Sequence, residues 1–151
     1  MGYLPDIVLK DRSDSTIAVV EVMAGSRIDQ HDAAGFFETV SRQMTPSRSR
    51  FLLLVTPRFL GLWDSQIEPG SAAIALFRDY PAQQLAVPRY IRERLPSARM
   101  DGHAFELLVY QWLIKLREFG ADADDEPERI LEEIGFVSAI RDAKIELGRA
   151  A

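Results

Sequence analysis

Two acidic residues stand out by where they sit. Asp6 follows Pro5 near the start of an apolar run, and Glu21 interrupts the segment Thr16–Met23, which is otherwise rich in β-branched residues. Along a strand, side chains alternate between faces, so Ile17, Val19, Glu21 and Met23 share one face and Ala18, Val20 and Val22 the other. Both faces are apolar apart from Glu21, as expected of a central strand. A carboxylate in such a place costs several kcal/mol, on the order of the penalty for an unpaired buried charge, unless something compensates it. The candidates are an arginine, a metal ion, a raised pKa or exposure at the end of the sheet. If Leu4–Lys10 and Thr16–Met23 form a hairpin turning at Arg12–Ser15, Asp6 falls across from Glu21. Two carboxylates at one sheet end suit a hard divalent cation, above all Mg2+ with retained waters. Next to a phosphodiester, such an ion polarises the phosphoryl oxygen and lowers the pKa of an attacking water.

The elements that must position this pair follow from the pattern of the chain. Leu4–Lys10 reads as a strand, with Pro5 tolerable only at its start or edge. Asp11-Arg12-Ser13-Asp14-Ser15 is a polar turn, so Thr16–Met23 returns as an antiparallel partner. From Gln30 to Met44 the period changes, and Ala33, Phe36, Phe37, Val40 and Met44 give one apolar helical face ending before Pro46. Phe51–Val55 is uninterrupted apolar, as expected of a strand covered on both faces. A strand–helix–strand order predicts a right-handed crossover that sets Thr16–Met23 parallel to Phe51–Val55. Phe59–Trp63 offers a further strand. The remainder is expected to be helical: Ser71–Tyr80, Val87–Leu95, a long helix from Gly102 to Phe119 capped by Asp101 and stopped by Gly120, and a last stretch opened by Pro127 and divided by Gly135. Asp122–Glu126 reads as a solvated acidic linker.

Pro5-Asp6, then Glu21-Val22-Met23 on the adjoining strand, then a helix and an apolar strand, resembles the core of the PD-(D/E)XK nuclease superfamily over roughly Leu4 to Trp63. The resemblance implies that Asp6 and Glu21 are metal ligands, that Val22 lends its backbone carbonyl, and that Met23 stands where a catalytic lysine is expected. A thioether has no proton to donate and no charge to offer, so Met23 cannot do that lysine's work. The family core also normally begins with a helix and a strand ahead of the aspartate, while this sequence starts just before it. The C-terminal helices, a partner chain or a longer parent sequence are the sources that could replace that layer.

A substitute cation is hard to find. Lys10 shares a face with Asp6 but lies about 13 Å along the strand at ~3.3 Å per residue, and Lys115 and Lys144 are expected on distant helices. Arg42, on the crossover helix, is the better placed; it stays protonated and could clamp a phosphate but makes a poor base. Arg48, Arg50 and Arg58 flank the central strand and with Arg42 form the candidate nucleic-acid-binding set. Arg89, Arg92, Arg94 and Arg99 form a second basic run. Trp63, Trp112, Phe36 and Phe37 fall at core positions, and His103 at a helix start reads as a capping or surface residue.

Composition bounds the rest. A chain of 151 residues with 47% hydrophobic content is one domain's worth of core: a sheet core over 1–64 and a helical extension over 65–151. The expected class is α/β, a small mixed sheet with a restriction-endonuclease-like core and a helical C-terminal half. Cysteine is absent, which excludes disulfides and thiol chemistry. The net charge of −5 argues against non-specific nucleic-acid binding by the whole surface. No signal peptide or membrane span is expected, and the default location is cytoplasmic. The leading functional expectation is a catalytically degenerate PD-(D/E)XK-like domain that binds DNA or serves as a homodimerisation or subunit module. The alternatives are an active Mg2+-dependent DNA endonuclease with a substituted cation, and a non-enzymatic interaction domain.

Overall fold

Ile7–Lys10 and Thr16–Val22 alternate well enough to pair locally, and the five residues between them close the turn by side-chain chemistry. Asp11 Oδ1 accepts from the amides of Ser13 (2.8 Å) and Ser15 (3.0 Å), and Asp14 takes the left-handed conformation at φ 67°, which aspartate tolerates better than most residues. The result in the computed structural model is an antiparallel hairpin of β1 (Ile7–Lys10) and β2 (Thr16–Val22), with Ile7 opposite Val20 and Val8 opposite Val19. The structure describes residues 6–24, 50–64, 85–96 and 100–148. The helices expected over Gln30–Met44 and Ser71–Tyr80 lie outside the described residues.

β3 (Phe51–Val55) is buried at every position and runs parallel to β2, with Ala18 beside Phe51 and Glu21 beside Leu54. Its uninterrupted apolar run is what burial on both faces demands. β4 (Leu60–Asp64) returns antiparallel. The turn between them is tied by Thr56, whose hydroxyl oxygen accepts from the amides of Arg58 and Phe59, each at 3.1 Å.

The described helices are α1 (Arg89–Arg94), α2 (Gly102–Phe119), α3 (Glu126–Glu133) and α4 (Phe136–Ala139). Asp101 caps α2 by accepting from the Ala104 amide at 2.9 Å, and Gly120 ends it at φ 77°. Phe105, Leu108, Val109, Trp112, Leu113 and Leu116 form its buried stripe. Gly135, at φ 90°, separates α3 from α4, which only glycine does without strain.

One element departs from the expectation of an all-helical C-terminal half. Lys144–Leu147 is a strand, β5, antiparallel to β1, and the five-stranded mixed sheet runs β4-β3-β2-β1-β5. Lys144 is therefore on a sheet edge rather than a helix, directly opposite Lys10. Its four residues alternate in burial, but Lys, Glu and Leu are good helix formers, and the pairing that makes the segment a strand joins positions far apart in sequence. The ammonium of Lys144 reaches Asp14 Oδ1 at 3.1 Å and pins β5 to the hairpin turn. That bond, with the Lys10 charge, holds the Asp14 carboxyl below its ordinary value.

The core lies between the sheet and the helices. Ile7, Leu9, Ala18, Val20, Phe51, Leu53 and Val55 present one sheet face to Trp112, Leu113, Leu116, Phe136 and Ile140. Phe51 and Phe136 meet edge to face at 5.2 Å, a favoured aromatic geometry. By alternation, Val19, Glu21, Leu52 and Leu54 occupy the opposite face, and all are buried.

Candidate functional site

The hairpin register decides whether Asp6 and Glu21 belong together. Ile7 pairs with Val20, so one further step along the antiparallel ladder sets Asp6 beside Glu21. Residues opposed in this way have Cβ atoms about 4.5–5.5 Å apart. Asp6 is 5% and Glu21 9% exposed, so this is a buried pair at the rim of the sheet and not a surface accident. The expected juxtaposition is present at the level of the backbone.

Asp6 is fixed from two sides. Its carbonyl accepts from the Gly148 amide at 2.8 Å, at the end of β5. Its carboxylate Oδ2 accepts from the Val22 amide at 2.8 Å. β1 begins at Ile7, so the Val22 N–H lies beyond the ladder, and the Asp6 side chain supplies the acceptor that a longer strand would have supplied from its backbone. That bond draws the Asp6 carboxylate toward the end of β2. It also gives Asp6 a structural duty independent of any ligand.

Glu21 lies one residue before the end of β2, beside Leu54 of β3. β2 and β3 are parallel, and their carboxyl ends at Val22 and Val55 form the type of sheet edge where open α/β sheets bind ligands. Met23 is half-buried directly after β2, and its amide donates to the Val55 carbonyl at 3.0 Å. The rim therefore collects Asp6, Glu21, Val22 and Met23. Two carboxylates are hard oxygen donors of the kind Mg2+ takes while keeping waters, and in that respect the residues fit the ion. Among the described residues no group of three or more histidine, cysteine or acidic side chains is gathered to hold a metal, so protein ligation there would rest on the pair and on backbone oxygen.

The candidate arginines are not brought together. Arg58 lies exposed in the Thr56–Phe59 turn, at the same end of β3 as Glu21. Arg50 precedes β3 at the opposite end, with its guanidinium 4.5 Å from the centre of the Phe51 ring. It also approaches Gly135, where an added Cβ would lie 3.5 Å from the guanidinium. Arg50 and Leu54, the neighbour of Glu21, are four positions apart, which at ~3.3 Å per residue is about 13 Å. Arg42 and Arg48 lie outside the described residues, as does Arg99. Within the second run, Arg94 stacks on Tyr90 at 3.7 Å, and His103 is exposed at the start of α2.

The acidic stretch before α3 is solvated at Asp124 and Glu126 as expected, but Asp125 departs from that reading. Asp125 is 4% and Glu128 1% exposed. Glu128 accepts from Trp112 Nε1 at 3.0 Å, from the Asp122 amide at 2.9 Å and from Lys115 Nζ at 3.1 Å. Arg89 crosses from α1 to bond the Asp124 carbonyl at 3.0 Å and to pair with Asp122 Oδ2 at 3.5 Å. Lys115 is committed to this network. Spacing gave a partial signal for it. Trp112 and Lys115 are neighbours on one helix, and a tryptophan at a core position needs an acceptor for its indole N–H. Nothing local marked Glu128 as that acceptor.

No helix among the described residues is long and apolar enough to cross a membrane. Compared with family models, curated proteins and solved structures, the chain matches none.

Proposed function

We propose that the Asp6–Glu21 rim is a degenerate PD-(D/E)XK-like site on a retained scaffold, able to attract a divalent cation but without the group that would activate water. The observation that supports this reading is the register, which continues from Ile7–Val20 to bring two buried acidic residues, Asp6 and Glu21, to neighbouring backbone positions near the carboxyl ends of β2 and β3. Two further features favour it. β5 pairs with the outer edge of β1, so the Asp6 strand has a strand neighbour on each side. Met23 occupies the lysine position, and a thioether neither donates a proton nor carries charge. Arg58 is the described cation nearest this end of the sheet in the chain's course, and an exposed guanidinium there suits a phosphate backbone.

Mn2+ binding and plasmid nicking test the proposal together. The wild-type chain is expected to bind Mn2+ weakly, to lose that binding in Asp6→Asn and Glu21→Gln, and to leave supercoiled plasmid intact in Mg2+ or Mn2+. Nicking that disappears in Asp6→Asn would favour the active endonuclease instead. Mn2+ binding unchanged by both substitutions would remove the site.

A second reading is favoured by the Asp6–Val22 bond. In it, Asp6 is only the terminator of the β1–β2 ladder, and the domain is a non-enzymatic interaction module. Asp6→Asn separates the two readings. The amide oxygen can still accept from Val22, so folding survives, while a metal site loses a charged ligand.

A further inference from the structure

The helical half contains a second acidic centre that the rim does not use. α1 begins at Arg89, after Pro88, and no side chain at its N-cap position satisfies the first free amide. The acceptor comes instead from a distant part of the chain: Asp125 Oδ1 takes the Arg89 N–H at 3.2 Å. Asp125 precedes α3 and makes no cap bond to its own helix. Its other carboxylate oxygen, Oδ2, is buried and has no hydrogen-bond partner. One carboxylate thus joins two helices through one oxygen and carries a buried, unsatisfied second oxygen.

The charges around it do not balance. The cleft of about 220 Å³ that Asp125 lines contains Asp122 and Glu128 from its own segment, Arg89 from α1 and Lys115 from α2. Glu93 and Arg94, also on α1, offset each other, and Tyr90 completes the wall. Asp122, Asp125 and Glu128 therefore face Arg89 and Lys115, leaving one negative charge in excess. The two cations are already directed elsewhere, Lys115 to Glu128 and Arg89 to Asp122. A buried anionic oxygen without a donor is unfavourable, and a proton on Oδ2 removes the excess charge without disturbing the Oδ1 bond to Arg89.

We propose that Asp125 is a proton-operated latch, which fastens α1 to the turn before α3 when protonated and loosens it when ionised. Opening of α1 would uncover the apolar surface that Ile91 buries. Burial raises the Asp125 carboxyl above its ordinary value, and the Glu128 and Asp122 charges add to that, against the opposing Arg89 bond and charge. A carboxyl raised in the closed state binds its proton more tightly there than in the open state. The latch is therefore complete below the ordinary aspartate value and weakens as pH rises through the raised one.

Amide hydrogen exchange at Arg89 and Arg92, corrected for intrinsic rates, reads the latch in the full chain. The opening constant of α1 is expected to rise by up to roughly tenfold per pH unit between the ordinary and the raised value, then to level off. Asp125→Asn retains an acceptor for Arg89 and is expected to flatten this dependence. Asp125→Ala removes the acceptor and is expected to open α1 at every pH. A wild-type opening constant that does not change with pH overturns the proposal, as does Asp125→Asn with the wild-type slope. Should Asp125→Asn not fold, carbon-detected titration of the wild-type Asp125 carboxyl decides alone: a midpoint above the ordinary aspartate value supports the latch, and one at or below it refutes it.

Discussion

Among the described residues, carboxylates are buried in two places and held differently. In the helical half, Glu128 is saturated: an indole N–H, an ammonium and a backbone amide all donate to it, and all come from residues whose packing holds that half together. At the rim of the sheet, Asp6 accepts a backbone amide that strand pairing left over, and it does so beside a second acid at the carboxyl ends of parallel strands. The first arrangement is what a carboxylate needs in order to be structural. The second satisfies a strand end at a position neighbouring another buried acidic residue. The contrast shows that burial by itself does not identify a functional acid, since Glu128 is fully buried and serves the packing of helices.

That contrast can be broken by substitution, and the largest effect belongs to Glu128. Glu128→Ala leaves the Trp112 N–H and the Asp122 amide without an acceptor and Lys115 without its partner, and is expected to lower unfolding free energy by about 3 kcal/mol. Urea denaturation followed by tryptophan fluorescence measures this. If Glu128→Ala were neutral, its role as the keystone of the helical half would fail. Asp6→Ala is expected to cost less, about 1–2 kcal/mol, since the Val22 amide loses its acceptor. Asp6→Asn should recover most of that, because only the acceptor matters to the ladder, and the same denaturation series measures both variants. An Asp6→Asn variant as unstable as Asp6→Ala would mean that the charge itself holds the rim together. The smallest effect is expected at Asp101, where loss of the bond to Ala104 in Asp101→Ala should cost about 1 kcal/mol and leave the difference between the two acidic centres unchanged.

What could be read from the residues divides along the same line. Elements with a local signal appear where their residues place them. Phe51–Val55 is a strand from end to end because nothing in it is polar. Gly102–Phe119 starts at its Asp cap and stops at its glycine because both termini carry their own chemistry. The Asp6–Glu21 register was legible because a short polar turn leaves little freedom in how a hairpin pairs. The signals that failed were non-local. Lys144–Leu147 becomes a strand only because the outer edge of β1 is available to it. The stretch Asp122–Glu126 has the composition of a solvated linker; Asp124 and Glu126 are exposed, but Asp125 is buried against Arg89, which is far away in sequence. Arg50 and Arg58 are separated by only eight positions, yet β3 runs between them and carries them to opposite ends of the sheet.

On the proposed reading, Met23 stands at the rim where a cation that activates water is expected, beside the acidic residues Asp6 and Glu21. Plasmid nicking by Met23→Lys in Mg2+ tests it most directly. The account predicts that nicking appears in this variant and is lost again when Asp6→Asn or Glu21→Gln is added. A folded Met23→Lys chain that binds Mn2+ and still leaves plasmid uncut would contradict it.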